Sequence, residues 1–172
     1  MNIRETDEAL RQKAVRLKLT YMRDNMPELM RAATESKMTP REVLEYVLGK
    51  EVDRRDANRV KLAMMAAHFP RACTLESFDY AAQPAVDPGT IRELAKMEWV
   101  RGGENVLFLG PPGVGKTHLA IALGREAVKK GYSVLFLSAS GLVNLLEKAK
   151  KESTLNEKMA QLSKPQLLII DE

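Results

Sequence analysis

The run Gly110-Pro111-Pro112-Gly113-Val114-Gly115-Lys116-Thr117 fits the pattern G-x-x-x-x-G-K-[ST] without a mismatch. A loop of this kind functions between a strand and a helix, and the flanking residues supply both. Asn105-Val106-Leu107-Phe108-Leu109 is a short apolar run of strand character, and Lys116 to Val128 reads as helix. Gly113 and Gly115 let the backbone bend so that successive N–H groups point at one anion. The start of the following helix adds partial positive charge. Lys116 brings an ammonium suited to β- and γ-phosphates, and Thr117 a hydroxyl suited to magnesium. The pattern predicts a nucleotide cradle running from Gly110 to His118.

A second run, Leu167-Leu168-Ile169-Ile170-Asp171-Glu172, gives the cradle its chemistry. Four consecutive aliphatics suit a strand covered on both faces. Asp171 then sits at the carboxyl end of that strand, where open α/β sheets place their ligands. Beside a phosphate loop, Asp171 joins Thr117 as a candidate metal ligand. Glu172 becomes the candidate base that orients and deprotonates an attacking water. The cofactors this predicts are ATP and Mg2+.

Composition narrows the setting. Apolar residues make up 45% of the 172, enough for a core, and charged residues 29%, which points to a soluble protein. No apolar run approaches the roughly 18 residues of a membrane span. The N-terminus Met1-Asn-Ile-Arg-Glu-Thr-Asp-Glu8 has no apolar secretory region. The single cysteine, Cys73, excludes an internal disulfide and fits a reducing cytoplasm. Two histidines and one cysteine, widely spaced, make no zinc site. The net charge of +4 and pI near 9.2 permit nucleic-acid binding without demonstrating it. Residues 1–70 carry 14 Lys/Arg against 11 Asp/Glu, so the basic excess leans towards the N-terminal part.

Along the chain, residues 1–68 read as a helical domain. Leu10, Ala14, Leu17 and Tyr21 recur at helical spacing, and Met26-Pro27 is expected to break that helix. Thr39-Pro40-Arg41-Glu42 is a start signal with cap, first-turn proline and capping box. Val43, Leu44, Val47 and Leu48 form the expected apolar stripe of the helix that follows, which runs to about Ala67. Arg54, Arg55, Arg59 and Lys61 give its second half a basic surface, read either as a solvated face or as a contact for DNA phosphates. Residues 69–88 read as an ordered linker, because Leu75, Phe78 and Tyr80 are too apolar for a free tether. Residues 89–172 alternate helix and strand, which predicts a parallel sheet. Asp87-Pro88 caps a helix carrying Ile91, Leu94, Ala95 and Val100. Strands are expected at 105–109, 132–137 and 166–170. Ser138 or Ser140 caps one intervening helix, and Thr154-x-x-Glu157 starts another with a capping box.

These residues together resemble a known family. Gly110-Pro-Pro-Gly-Val-Gly-Lys-Thr-His-Leu-Ala120, with Leu-Leu-Ile-Ile-Asp-Glu172, is similar to AAA+ ATPases of the helicase-loader, DnaC-like branch. Thr74-Leu-Glu-Ser-Phe-Asp-Tyr80 resembles a segment that precedes the ATPase core in IstB-type transposition helper proteins. The Arg-rich helix before it looks like IstB as well. The resemblance is strongest from Leu75 to Glu172. It implies an α/β P-loop core, here incomplete, preceded by an α-helical domain. It also implies ATP-dependent self-assembly on double-stranded DNA and recruitment of a transposase. Family members continue for roughly 80 further residues with sensors and an arginine finger, so the sequence reads as truncated, with hydrolysis in doubt. In the family the 105–109 strand does not pair with the Asp171 strand, while the 132–137 strand does, so here 105–109 is expected either to stand unpaired or to collapse onto 166–170 in a non-family register. Two other functions stay open. One is a replicative helicase loader; the other is a non-catalytic fragment with a binding surface and no turnover.

Overall fold

The computed structural model describes residues 3–172, with side chains from Thr6 onward. Met1 and Asn2 of the expected helical domain therefore lie outside the described residues. The chain forms two compact units, one reaching to Arg59 and one running from Val60 to Glu172.

In the first unit, α1 spans Ile3–Arg16, α2 Thr20–Glu35, and α3 Pro40–Ala66, whose last turns belong to the second unit. The expected helix through Leu10 and Tyr21 is interrupted earlier than Met26-Pro27. The chain turns at Lys18, which adopts φ +56°, and Pro27 lies inside α2. Proline has no N–H and its ring crowds the preceding turn. The helix answers by kinking at Asn25 (φ −118°, ψ 15°), whose side-chain amide donates to the Tyr21 carbonyl at 2.9 Å. The start of α3 forms as its residues dictate. The Thr39 N–H donates to Glu42 Oε2 at 2.6 Å and the Glu42 N–H to Thr39 Oγ1 at 3.4 Å. The expected stripe is corrected: Val47 is buried, but Leu44 and Leu48 are 65% and 51% exposed. The residue one turn beyond Val47 on the covered face is charged, and it is Glu51, only 4% exposed.

Glu51 is buried because it caps another helix. Its carboxylate accepts from the backbone N–H groups of Thr20 and Met22, both at 3.1 Å. Leu19, at the N-cap of α2, provides no side-chain acceptor, so Glu51 satisfies amides that the helix start leaves open. Arg55 Nε donates to Glu51 at 3.1 Å, and Arg55 Nη2 donates to the Lys18 carbonyl at 2.7 Å. Burial pushes the Glu51 carboxyl up, but the Met22 amide and Arg55 outweigh it and hold the group below its ordinary value of 4.5.

In the second unit, β1 (Val134–Ser138) and β2 (Leu167–Asp171) pair in parallel, in register from Val134↔Leu167 to Ser138↔Asp171. The Phe136 N–H donates to the Ala67 carbonyl just beyond α3, at 2.9 Å. Ala67 is fully buried in a core with Met97, Leu123, Ala127, Val128 and Val134. Between the strands lie α7 (Ala139–Lys151), capped by Ser138 accepting from the Gly141 N–H, and α8 (Leu155–Leu162). The expected capping box at Thr154 does not form: Thr154 Oγ1 donates to the Ala149 carbonyl instead. The helix expected after Asp87 is two helices, α4 (Pro88–Leu94) and α5 (Glu98–Gly102). They part at Met97, which takes φ +65°, and Trp99 Nε1 spans the break by donating to the Leu94 carbonyl at 2.8 Å.

The phosphate-loop helix α6 (Lys116–Lys129) packs on both strands. Its close approach depends on Gly124. A Cβ there would lie 2.6 Å from Ile169 Cδ1 and 2.9 Å from Phe69 Cε1. Residues 105–109 are the one expected strand without a ladder. Among the described residues the sheet holds β1 and β2 alone, so 105–109 is unpaired chain, with Leu107 79% and Leu109 87% exposed. A cleft of about 470 Å3 lies between 105–108 and β2.

Glu51 generates a test of the first unit. Its carboxyl is depressed in the folded protein, so its contribution is full above pH 4.5 and lost as pH falls through the depressed value. Glu51→Gln should cost about 1–3 kcal/mol at neutral pH, the cost of weakening a buried charged acceptor. Urea unfolding followed by far-ultraviolet circular dichroism should also show a smaller loss of stability below pH 4.5 for the variant than for the parent. Equal acid sensitivity in the two proteins would remove Glu51 from this role.

Candidate nucleotide site

The phosphate loop is ordered around two backbone positions that only glycine adopts freely: Gly113 at φ +82° and Gly115 at φ +89°. Gly115 is the N-cap of α6 and has no side chain to accept from the first amides of the helix. The N-terminal turn thus offers its N–H groups to an external anion. Lys116 Nζ donates to the carbonyls of Gly110 and Pro111, both at 2.9 Å. The ammonium is thereby held in the mouth of the loop. Pro111, Pro112 and Gly113 are exposed, and Val114 is half-buried.

Thr117 and Asp171, 54 residues apart, meet across the end of the sheet. Thr117 Oγ1 lies 3.0 Å from Asp171 Oδ1 and 2.9 Å from Oδ2. The parallel register places Asp171 at the last step of β2, opposite Ser138. A hydroxyl and a carboxylate converging at a phosphate loop are hard oxygen donors that fit magnesium. Such an ion takes one or two carboxylates and completes its octahedron with phosphate oxygens and water. Among the described residues no group of three or more His, Cys, Asp or Glu could hold a metal unaided. Glu172 is exposed beside Asp171 and lines the cleft together with Lys116.

His118 engages a different partner. Its Nε2 lies 2.9 Å from the Thr74 carbonyl and 3.2 Å from Ser77 Oγ. Its ring meets the edge of Phe78 at 5.4 Å between centroids. The 74–80 segment is thus seated directly on the phosphate-loop helix. The spacing of motifs did not reveal that contact, although Phe78 stood out in the sequence.

The basic residues of α3 are not equivalent. Arg55 is committed to Glu51 and the Lys18 carbonyl, and Arg59 pairs with Asp56 at 3.4 Å on the surface. Arg54 and Lys61 are exposed, Lys61 within the second unit.

Comparison with known proteins bears on the same residues. The family model described as IstB-like ATP binding protein matches residues 12–172. The chain belongs to this family. A protein of Geobacillus stearothermophilus, named as an ATP-binding protein of insertion sequence IS5376, is 39% identical over 157 residues. The match covers 91% of this chain and 62% of the relative. A protein of Pseudomonas aeruginosa, named for insertion sequence IS21, is 41% identical over 157 residues, covering 91% and 59%. One from Bacillus thuringiensis subsp. berliner, named for IS232, is 32% identical over 156 residues, covering 91% and 62%. The chain spans about three fifths of the length of these relatives. The fold class read from the sequence stands: a P-loop ATPase core of the IstB-like type, mostly helical, with a small parallel sheet.

Proposed function

We propose that the protein binds ATP with Mg2+ at the loop Gly110–Thr117 and acts as an ATP-dependent helper of DNA transposition. The observation that carries the nucleotide reading is the meeting of Thr117 and Asp171 at the uncapped start of α6. The backbone of Gly110 to His118 cradles the phosphates, and Lys116 exchanges its two loop carbonyls for β- and γ-phosphate oxygens. Thr117 and Asp171 would hold the magnesium ion, which supplies neutralisation of the phosphate charge. Glu172, next to the metal ligand and facing the cleft, would orient the attacking water and accept its proton. The role in transposition is supported by relatives named for insertion sequences, which favours it over loading of a replicative helicase. The partners this implies are double-stranded DNA, a transposase and further copies of the same protein, met in the cytoplasm. No helix among the described residues is long and apolar enough to cross a membrane.

The DNA surface, in this reading, is narrower than the four basic residues of α3. Arg54 and Arg59 are the phosphate contacts on the first unit. A lone exposed ion pair such as Arg59–Asp56 contributes about 0–1 kcal/mol and yields readily to a phosphate. Arg55 keeps its buried partner.

In the chain extended to the length of its relatives, Glu172→Gln should retain binding of ATP with magnesium and hydrolyse it about 10²–10⁴-fold more slowly. A coupled phosphate-release assay reads this, and unchanged turnover would remove Glu172 from the chemistry. Arg54→Ala and Arg59→Ala together should lower the slope of log affinity for duplex DNA against log salt by about 1.8, at about 0.9 per lost phosphate contact. An unchanged slope would leave these arginines as a solvated face.

A further inference from the structure

The phosphate loop is not held by its own residues alone. A Cβ placed on Gly115 would lie 2.5 Å from Phe78 Cε2 and 3.2 Å from Phe78 Cζ. The phenyl ring therefore occupies the space a side chain would take at the N-cap of α6. Phe78 is itself fixed from several sides. It is 8% exposed and packs in a cluster with Ile91 and Leu119. Its ring meets Tyr80 edge-on at 4.9 Å and His118 at 5.4 Å between centroids. The backbone that carries it is closed by a reciprocal pair: the Thr74 N–H donates to Ser77 Oγ at 3.1 Å, and the Ser77 N–H to Thr74 Oγ1 at 3.2 Å. The hydrogen bond of His118 to the Thr74 carbonyl then ties this turn to the residue after Thr117.

We infer that Phe78 is a positioning residue of the nucleotide site: its ring holds Gly115 in the left-handed conformation that aims the first amides of α6 at the phosphates. Gly113 and Gly115 are permissive in both directions, so nothing intrinsic keeps them at positive φ. A Cβ at Gly113 would meet no atom within 4 Å, so that glycine has no such support. Gly115 does, and the support comes from a segment 37 positions earlier in the chain. Without the ring the loop samples arrangements that cannot bind. Apparent affinity then falls in proportion to the competent fraction. Phe78 touches neither metal nor nucleotide in this account and acts through Gly115.

The inference rests on the nucleotide-binding reading for its affinity arm and is independent of it for its exchange arm. Phe78→Ala is compared with Ile91→Ala. Both remove a buried apolar side chain from one cluster, and Phe78 supplies the three atoms nearest to a Cβ placed on Gly115. A role confined to packing would make the two variants alike. Each is checked for parental circular dichroism before use. If Phe78→Ala does not fold, Phe78→Leu replaces it, keeping apolar volume while withdrawing the ring edge from Gly115.

In titrations of ATP with magnesium, the Phe78 variant should bind about tenfold more weakly than Ile91→Ala, the cost of re-ordering one or two loop residues on binding. In hydrogen exchange of the nucleotide-free protein, the amides of residues 113–117 should exchange about tenfold faster in the Phe78 variant only. Equal exchange at 113–117 in the two variants overturns the inference, whatever the affinities. Faster exchange in a protein whose parent binds no ATP supports the positioning role and rejects the nucleotide reading.

Discussion

The second unit is organised by the approach of α6 to β2 at Gly124. With no side chain there, the helix lies against Ile169 and Phe69 at a distance a methyl group would prevent. Thr117 is seven residues back along α6, about 10 Å at 1.5 Å per residue. Asp171 is two residues along β2, about 7 Å further on. The contact at Gly124 therefore sets the angle at which helix and strand arrive at the site. It determines whether the Thr117 hydroxyl and the Asp171 carboxylate meet. Core packing and site geometry are the same constraint viewed at two points on one helix.

A second constraint works on the loop from the opposite side. The 74–80 segment has few helical signals and two residues, Cys73 and Phe78, at or beside it that are buried. It belongs to the second compact unit. Its ST-type turn, the His118 bond and the Phe78 ring converge on the same two or three residues of the phosphate loop. Glycines give the loop the freedom to cradle an anion, and the surrounding side chains remove freedom that would otherwise be spent on binding.

What was legible in the sequence was local. The eight-residue loop pattern, the caps at Thr39, Asp87 and Ser138, and the aliphatic run ending at Asp171 each depend on neighbours within a few residues, and each formed. The parallel pairing of β1 with β2 followed from the family resemblance, which left 105–109 either unpaired or collapsed onto the Asp171 strand; the segment forms no ladder. Some failures were local, at Thr154, where the capping box does not form, and at Pro27; the others were non-local. Pro27 reads as a break, yet α2 continues past it by kinking at Asn25. Val43, Leu44, Val47 and Leu48 read as one stripe, but of these only Val47 is buried, and the other buried residue of α3 is Glu51. That carboxylate is inside because amides 29 and 31 positions earlier require an acceptor. No spacing rule conveys such a pairing. The same holds for Arg55, which in the sequence is equivalent to Arg54 and in the fold is not.

The claim on which the rest stands is that the loop at the start of α6 binds nucleotide through a preformed cradle completed by Lys116. Calorimetric titration of ATP with magnesium into the parent protein and into Lys116→Ala tests it most directly. Alanine leaves Gly113, Gly115 and the Thr117–Asp171 pair in place and removes only the cation that neutralises the β- and γ-phosphates. Saturable binding to the parent and its abolition in the variant are expected. Equal affinity in the two proteins would contradict it.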